Sequence, residues 1–233
     1  MKNVNDFISD LKDILDNRLL SVFVFGATAN SSDRILIKNV DLFIIIDNWK
    51  PDDLFKIHTI VKVWMVKGNP CPIIMSKEEF YDRSETFAME YSDIKWNYQL
   101  LYGDDFVEPL NVNYFDLKLQ CDRELKNLAL KLRNFYLENG RSKSAILPFS
   151  NAVIRSLIVI FRVILRLNNI TPSVYKHDVL DQVADIIKFD KLFFKKMLDF
   201  KEGSYRFSAS EIYEFNDYLI GQVAYIQKQL QER

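Results

Sequence analysis

Two short runs rich in β-branched and aromatic residues, LLSVFVF at Leu19–Phe25 and VDLFIII at residues 40–46, constrain most tightly what this chain can fold into. The first stops at Gly26 and the second is closed by Asp47, Asn48 and Pro51, so each reads as a strand ended by a turn. Apolar residues recur at helical spacing on either side, over residues 4–17 (Phe7, Leu11, Ile14, Leu15) and 52–67. The order is helix, strand, glycine turn, strand, helix.

A short third strand is expected at residues 72–75. Ser76 and Glu79 follow as an S-x-x-E capping box, in which the hydroxyl accepts from a free backbone N–H and the carboxylate reaches back. Residues 96–102 read as a last strand ending at Gly103, and the polar stretch 104–113, with Pro109, reads as a connection between domains. Beyond it the pattern turns wholly helical, over 114–138, 145–167, 174–200 with a break near Asp190, and 210–231 behind a second capping box, Ser208 and Glu211. The expectation is an α+β (mixed α/β) domain over residues 1–110 and an all-α helical bundle over 111–233.

Composition excludes several classes. With 31 Lys and Arg against 32 Asp and Glu, the net charge of -1 gives no global attraction to nucleic acid, and the basic residues of 114–138 are offset by Asp116, Asp122, Glu124 and Glu138. Nucleic acid is not an expected partner. Cys71 and Cys121 are far apart and form no Cys/His cluster, which argues for reduced thiols rather than a disulfide framework or zinc site. The first residues carry Asp6, Asp10 and Asp13 where a signal peptide would need an apolar run, so a cytoplasmic location is expected. Residues 145–167 approach the length of a bilayer span, about 20 residues. Arg155, Arg162 and Arg166 interrupt them, each costing about 2.5–3.5 kcal/mol near a span's centre, so a buried helix is favoured over a membrane segment.

The segment FGATANSSDRILIKNVDLFIII, residues 25–46, resembles the nucleotidyltransferase superfamily of polymerase-beta type. That family's signature is an apolar strand, Gly-Ser, a loop, then Asp-apolar-Asp entering the next strand. The resemblance covers roughly residues 1–110, and LLYGDD at residues 100–105 is similar to a Leu-Tyr-Gly-acid segment of predicted members. It implies a cleft in which two strand carboxylates, two positions apart and separated by about 6.6 Å of rise, share Mg2+ with the phosphates of an NTP. The Gly-Ser turn would cradle those phosphates.

Carried over residue by residue, Gly26 matches the family glycine and Ala27 replaces the expected serine, removing a hydroxyl; Gly26, Ala27 and Thr28 are then the nucleotide-binding turn. One alignment puts Asn39 and Asp41 on the two acids, leaving one charge at the metal; the other puts Asp41 and Phe43 there. An acid followed by a long apolar strand matches DLFIII and favours the first. Residues 72–75 have no third acid, Asp47 lies about 20 Å along the strand from Asp41, and Glu90 is the remaining acid to consider.

Arg155, Arg162 and Arg166 fall within about 40° on a helical wheel. They form either the helix's solvated or internally paired edge, or a wall with Arg155 and Arg162 on phosphate. His58 and His177 show no partner in sequence and read as structural. The resemblance implies a nucleotidyltransferase-like protein with a degenerate metal site, inactive or impaired in catalysis, that retains nucleotide or partner binding. Two alternatives stand beside it. One is an active enzyme moving NMP from NTP to a small-molecule or protein hydroxyl, with Asp41 as its residual catalytic residue. The other is a homo-oligomer formed through the bundle helices.

Overall fold

The computed structural model describes residues 4–26, 29, 39–82 and 87–231. The chain divides into two compact units, Met1–Asp116 and Leu117–Arg233. In the first, helix α1 (Val4–Leu15) ends in a 3-10 turn, Asp16–Arg18, and strand β1 (Leu19–Phe25) follows. Strand β2 (Asp41–Ile46), helix α2 (Pro51–Val66) and strand β3 (Ile73–Ser76) make a strand-helix-strand crossover, so β2 and β3 pair in parallel. Helices α3 (Lys77–Asp82) and α4 (Ala88–Trp96) precede strand β4 (Tyr98–Gly103). The sheet order is β3-β2-β1-β4, with β1 antiparallel to both β2 and β4.

Both faces of the sheet are covered, which explains why β1 and β2 are apolar at nearly every position. On one face Val22, Val24, Leu42, Ile44 and Ile46 pack with Phe7, Leu11 and Leu15 of α1 and with Ile57 and Trp64 of α2. On the other, Phe23, Phe43 and Ile45 meet Phe80 of α3, Tyr91 and Ile94 of α4, and Phe106. Alternation along β2 puts Asp41 on this second, aromatic face.

Two polar anchors fix the helices. The Arg18 guanidinium grips Asp53 through two bonds of 2.6 and 2.8 Å, while the Lys50 N–H donates to the same carboxylate at 2.9 Å, locking the start of α2 to the turn before β1. The Ser76–Glu79 capping box forms at α3: the Ser76 N–H donates to Glu79 at 2.8 Å and the Glu79 N–H to Ser76 Oγ at 3.1 Å, with Trp49 Nε1 adding a third bond to Glu79.

The second unit is helical: α5 (Tyr114–Asn139, which starts in the first unit), α6 (Lys143–Leu167), α7 (Lys176–Ala184), α8 (Lys191–Glu202) and α9 (Ala209–Gln231). The break expected near Asp190 falls where Asp190 caps α8, accepting from the Phe193 N–H at 3.0 Å. The Ser208–Glu211 capping box forms at α9, with bonds of 2.8 and 3.2 Å. Helix α6 is long and apolar enough to cross a bilayer by length and composition, yet Val153, Ile154, Leu157, Phe161 and Ile164 are buried inside the unit, as in a core helix.

Candidate functional site

Strand β1 runs out at Phe25 and Gly26 turns the chain with φ of 72°, a left-handed conformation that glycine adopts without strain. The Gly26 N–H donates to the Asn97 carbonyl at 3.0 Å, and the Asn97 side-chain amide donates back to the Gly26 carbonyl at 2.6 Å. That carbonyl also accepts from the Ala29 N–H at 3.1 Å. Asn97 is buried and its own N–H closes the end of α4 on Asp93 and Ile94. One residue therefore ends a helix, starts β4 and pins the glycine turn. Nothing in the spacing around Asn97 marks it; its only signal is a polar residue between Trp96 and Tyr98.

Asp41 opens β2 directly across from Phe25. A Cβ placed on Gly26 would lie 3.6 Å from Asp41 Oδ2, so the turn and the carboxylate are neighbours. Asp41 is half-buried, and this burial pushes its carboxyl pKa up from the usual range. Ala27 and Thr28, expected beside Gly26 at a nucleotide, lie outside the described residues.

The expectation that Asn39 and Asp41 alternate along one strand is corrected, because β2 begins at Asp41. Asn39 stands two residues earlier, exposed, at φ of 64°, with its N–H on the Gly68 carbonyl at 3.2 Å. Asparagine and aspartate tolerate this left-handed region better than most residues. On the other alignment the second acid position is Phe43, stacked on Phe23 with ring centroids 5.0 Å apart. Asp47 is exposed beyond β2, Glu90 is on the exposed side of α4, and β3 carries no acid. Asp105, in the LLYGDD segment, accepts from the Tyr98 hydroxyl and from the N–H groups of Val107 and Glu108, which makes it a turn cap.

Among the described residues, the cluster of three side chains able to ligate one metal ion is His177, Asp199 and Glu202, in the helical unit, and Asp41 is not part of it. His177 is thus partnered after all, its Nε2 lying 2.9 Å from Asp199 Oδ1. Around Asp41 the described donors amount to one carboxylate whose charged form is disfavoured by burial, beside a neutral, exposed Asn39. Magnesium is held by one or two carboxylates together with substrate phosphates, and Asp41 is the carboxylate that the described residues place beside the Gly26 turn.

The arginines of α6 have contacts within their own unit. Arg155 is exposed and its Nε donates to the Asn151 carbonyl one turn back at 3.1 Å. Arg162 is half-buried and donates to the Val174 carbonyl at 3.1 Å, and Arg166 is half-buried as well. The stripe is therefore a partly buried edge, not a wholly solvated one.

No family model and no curated protein matches this sequence. Among solved structures, the spectinomycin adenyltransferase from Enterococcus faecialis, determined with ATP and spectinomycin, aligns over 98% of this chain and 100% of its own with a TM-score of 0.58 at 11% identity. At that identity the likeness is one of architecture: the chain has a nucleotidyltransferase-like fold, a mixed α/β domain followed by a helical region.

Proposed function

We propose that this protein is a nucleotidyltransferase-fold protein that binds a nucleotide at the turn after β1 and is inactive or impaired in transferring it. One observation carries the reading: among the described residues the Gly26 turn rests against one carboxylate, Asp41, whose pKa burial pushes up from the usual carboxyl range. The Gly26 N–H is already engaged by Asn97, so Gly26 shapes the turn rather than donating to phosphate. Ala27 supplies no hydroxyl there. Nucleotidyl transfer depends on positioning and on neutralising the charge of the phosphates. A lone, partly desolvated carboxylate serves that purpose poorly.

The likeness to an adenyltransferase solved with ATP and spectinomycin favours a specific second reading, transfer from ATP to a hydroxyl of a small molecule. The two readings separate in one experiment. Wild type, Asp41→Ala and Asn39→Asp are incubated with labelled ATP, magnesium and hydroxyl-bearing small molecules, and melting is followed in parallel. The expected outcome is thermal stabilisation by ATP, about 2.7 kcal/mol at a hundredfold excess over Kd, with no label transferred. Label transfer by wild type that disappears in Asp41→Ala would overturn the inactive reading. Absence of both effects would leave an interaction module, for which light scattering reads the oligomeric state.

A further inference from the structure

The helical unit holds a cavity of about 390 Å3 between the start of α8, the loop at 203–208 and α9. Its volume falls in the range of small-molecule sites, roughly 300–1,000 Å3. Four rings form a continuous wall: Tyr218, Phe193, Phe215 and Phe207 follow one another with centroids 4.8, 5.1 and 4.9 Å apart. Leu192 and Tyr218, 71% and 43% exposed, stand at the same cavity, so its apolar surface is open to solvent.

The charge of this lining is strongly one-sided. Asp190, Glu211 and Glu214 face the cavity against a single ammonium group, Lys196, which leaves two negative charges in excess. Lys196 is matched by Glu211 at 3.1 Å. Asp190 accepts from the Tyr218 hydroxyl at 2.6 Å and from the Phe193 N–H. Burial pushes the Asp190 carboxyl up, but these bonds outweigh it and the net shift is downward, so the group stays ionised near neutral pH. Glu214 is exposed and accepts no bond from any described residue.

Aromatic faces beside unneutralised carboxylates attract cations, and most strongly alkylated ammonium groups, whose weak hydration lets them sit against rings. A neutral apolar ligand would draw nothing from the excess negative charge, an anion would be repelled, and a bare metal ion would make no use of the four rings. We propose that this cavity binds a small organic cation, an alkylated ammonium group carrying an apolar body. The site lies wholly within the helical unit and does not depend on the nucleotide reading.

The full chain is titrated with benzyltrimethylammonium, benzyl alcohol and benzenesulfonate, with amide and aromatic NMR shifts as the readout. The expected result is a saturable response confined to residues 190–218 for the cation, about tenfold weaker for the alcohol and absent for the sulfonate. Glu214→Gln, an exposed and nearly isosteric change, should weaken the cation about twofold to fivefold and leave the alcohol unchanged. Equal affinity for cation and alcohol, a cation response unmoved by Glu214→Gln, shifts centred elsewhere, or no saturable response would each overturn the proposal.

Discussion

Asn97 and Gly26 hold one another by two opposed bonds, the Gly26 N–H donating to the Asn97 carbonyl at 3.0 Å and the Asn97 amide donating to the Gly26 carbonyl at 2.6 Å. Only the second depends on the side chain. Asn97→Ala removes one of the two bonds that the Gly26 carbonyl accepts and leaves it the Ala29 N–H, so its expected cost is about 0.5–1.5 kcal/mol. Urea denaturation reads the loss, and on the proposed nucleotide reading any stabilisation by ATP should shrink with it. An unchanged midpoint would show that the turn holds without this latch.

Gly26 and Gly103 both have positive φ, 72° and 77°, but differ in what a side chain would meet. At Gly26 the nearest atom to an added Cβ is Asp41 Oδ2 at an ordinary 3.6 Å, so Gly26→Ala should cost only the left-handed strain, about 1–2 kcal/mol. At Gly103 the Cβ would fall 1.9 Å from the Leu20 carbonyl oxygen, which cannot yield without moving β1 or β4. Gly103→Ala is expected to cost on the order of 4 kcal/mol or more, visible as a far lower melting temperature.

Burial raises the Asp41 carboxyl above its ordinary value, so the folded chain holds this proton more tightly than the unfolded one. Its favourable contribution is fully present below the unfolded pKa, about 3.9, and is lost as pH rises through the raised folded value. At pH 7 the charged carboxylate therefore opposes folding. Asp41→Asn should be more resistant to guanidinium than wild type at pH 7, with the advantage fading at pH 3.5. Equal midpoints at pH 7 would count against a desolvated Asp41.

The Arg18–Asp53 pair acts in the opposite direction. The hydrogen bonds from the Arg18 guanidinium, and then the one from the Lys50 N–H, hold the Asp53 carboxyl down at about 2. Its contribution is present above the unfolded value, about 3.9, and disappears as pH falls through the folded one. Asp53→Asn should lower the denaturation midpoint at pH 6 and flatten its fall between pH 4 and pH 2. A variant whose acid profile parallels wild type would remove Asp53 from the causes of acid unfolding.

Most of the architecture could be read from the sequence wherever a local rule fixes it. The run LLSVFVF became β1 at its expected bounds, and both S-x-x-E boxes formed the reciprocal bonds that define them. Helix α4 went unseen because its residues, AMEYSDIKW, carry almost no amphipathic periodicity: Ala88, Met89, Tyr91, Ser92 and Ile94 are all buried, so polar and apolar positions do not separate by face. Site geometry was harder to read. Asn39 looked like a strand residue in phase with Asp41, yet its left-handed backbone takes it out of the alternation, and backbone sign is not encoded in an apolar pattern. Partners distant in sequence, Asn97 with Gly26 and His177 with Asp199, leave no periodic trace.

The stack of Phe23 on Phe43, capped edge-on by Phe80, bears on how the chain could gain a second carboxylate. An acid at position 43 would have to displace the centre of the aromatic face, so the strand itself is closed to such a change. Position 39 lies open to solvent in a backbone conformation that aspartate accepts as readily as asparagine. An acid at position 39 would thus leave the core untouched, standing in the loop outside the alternation that orients Asp41.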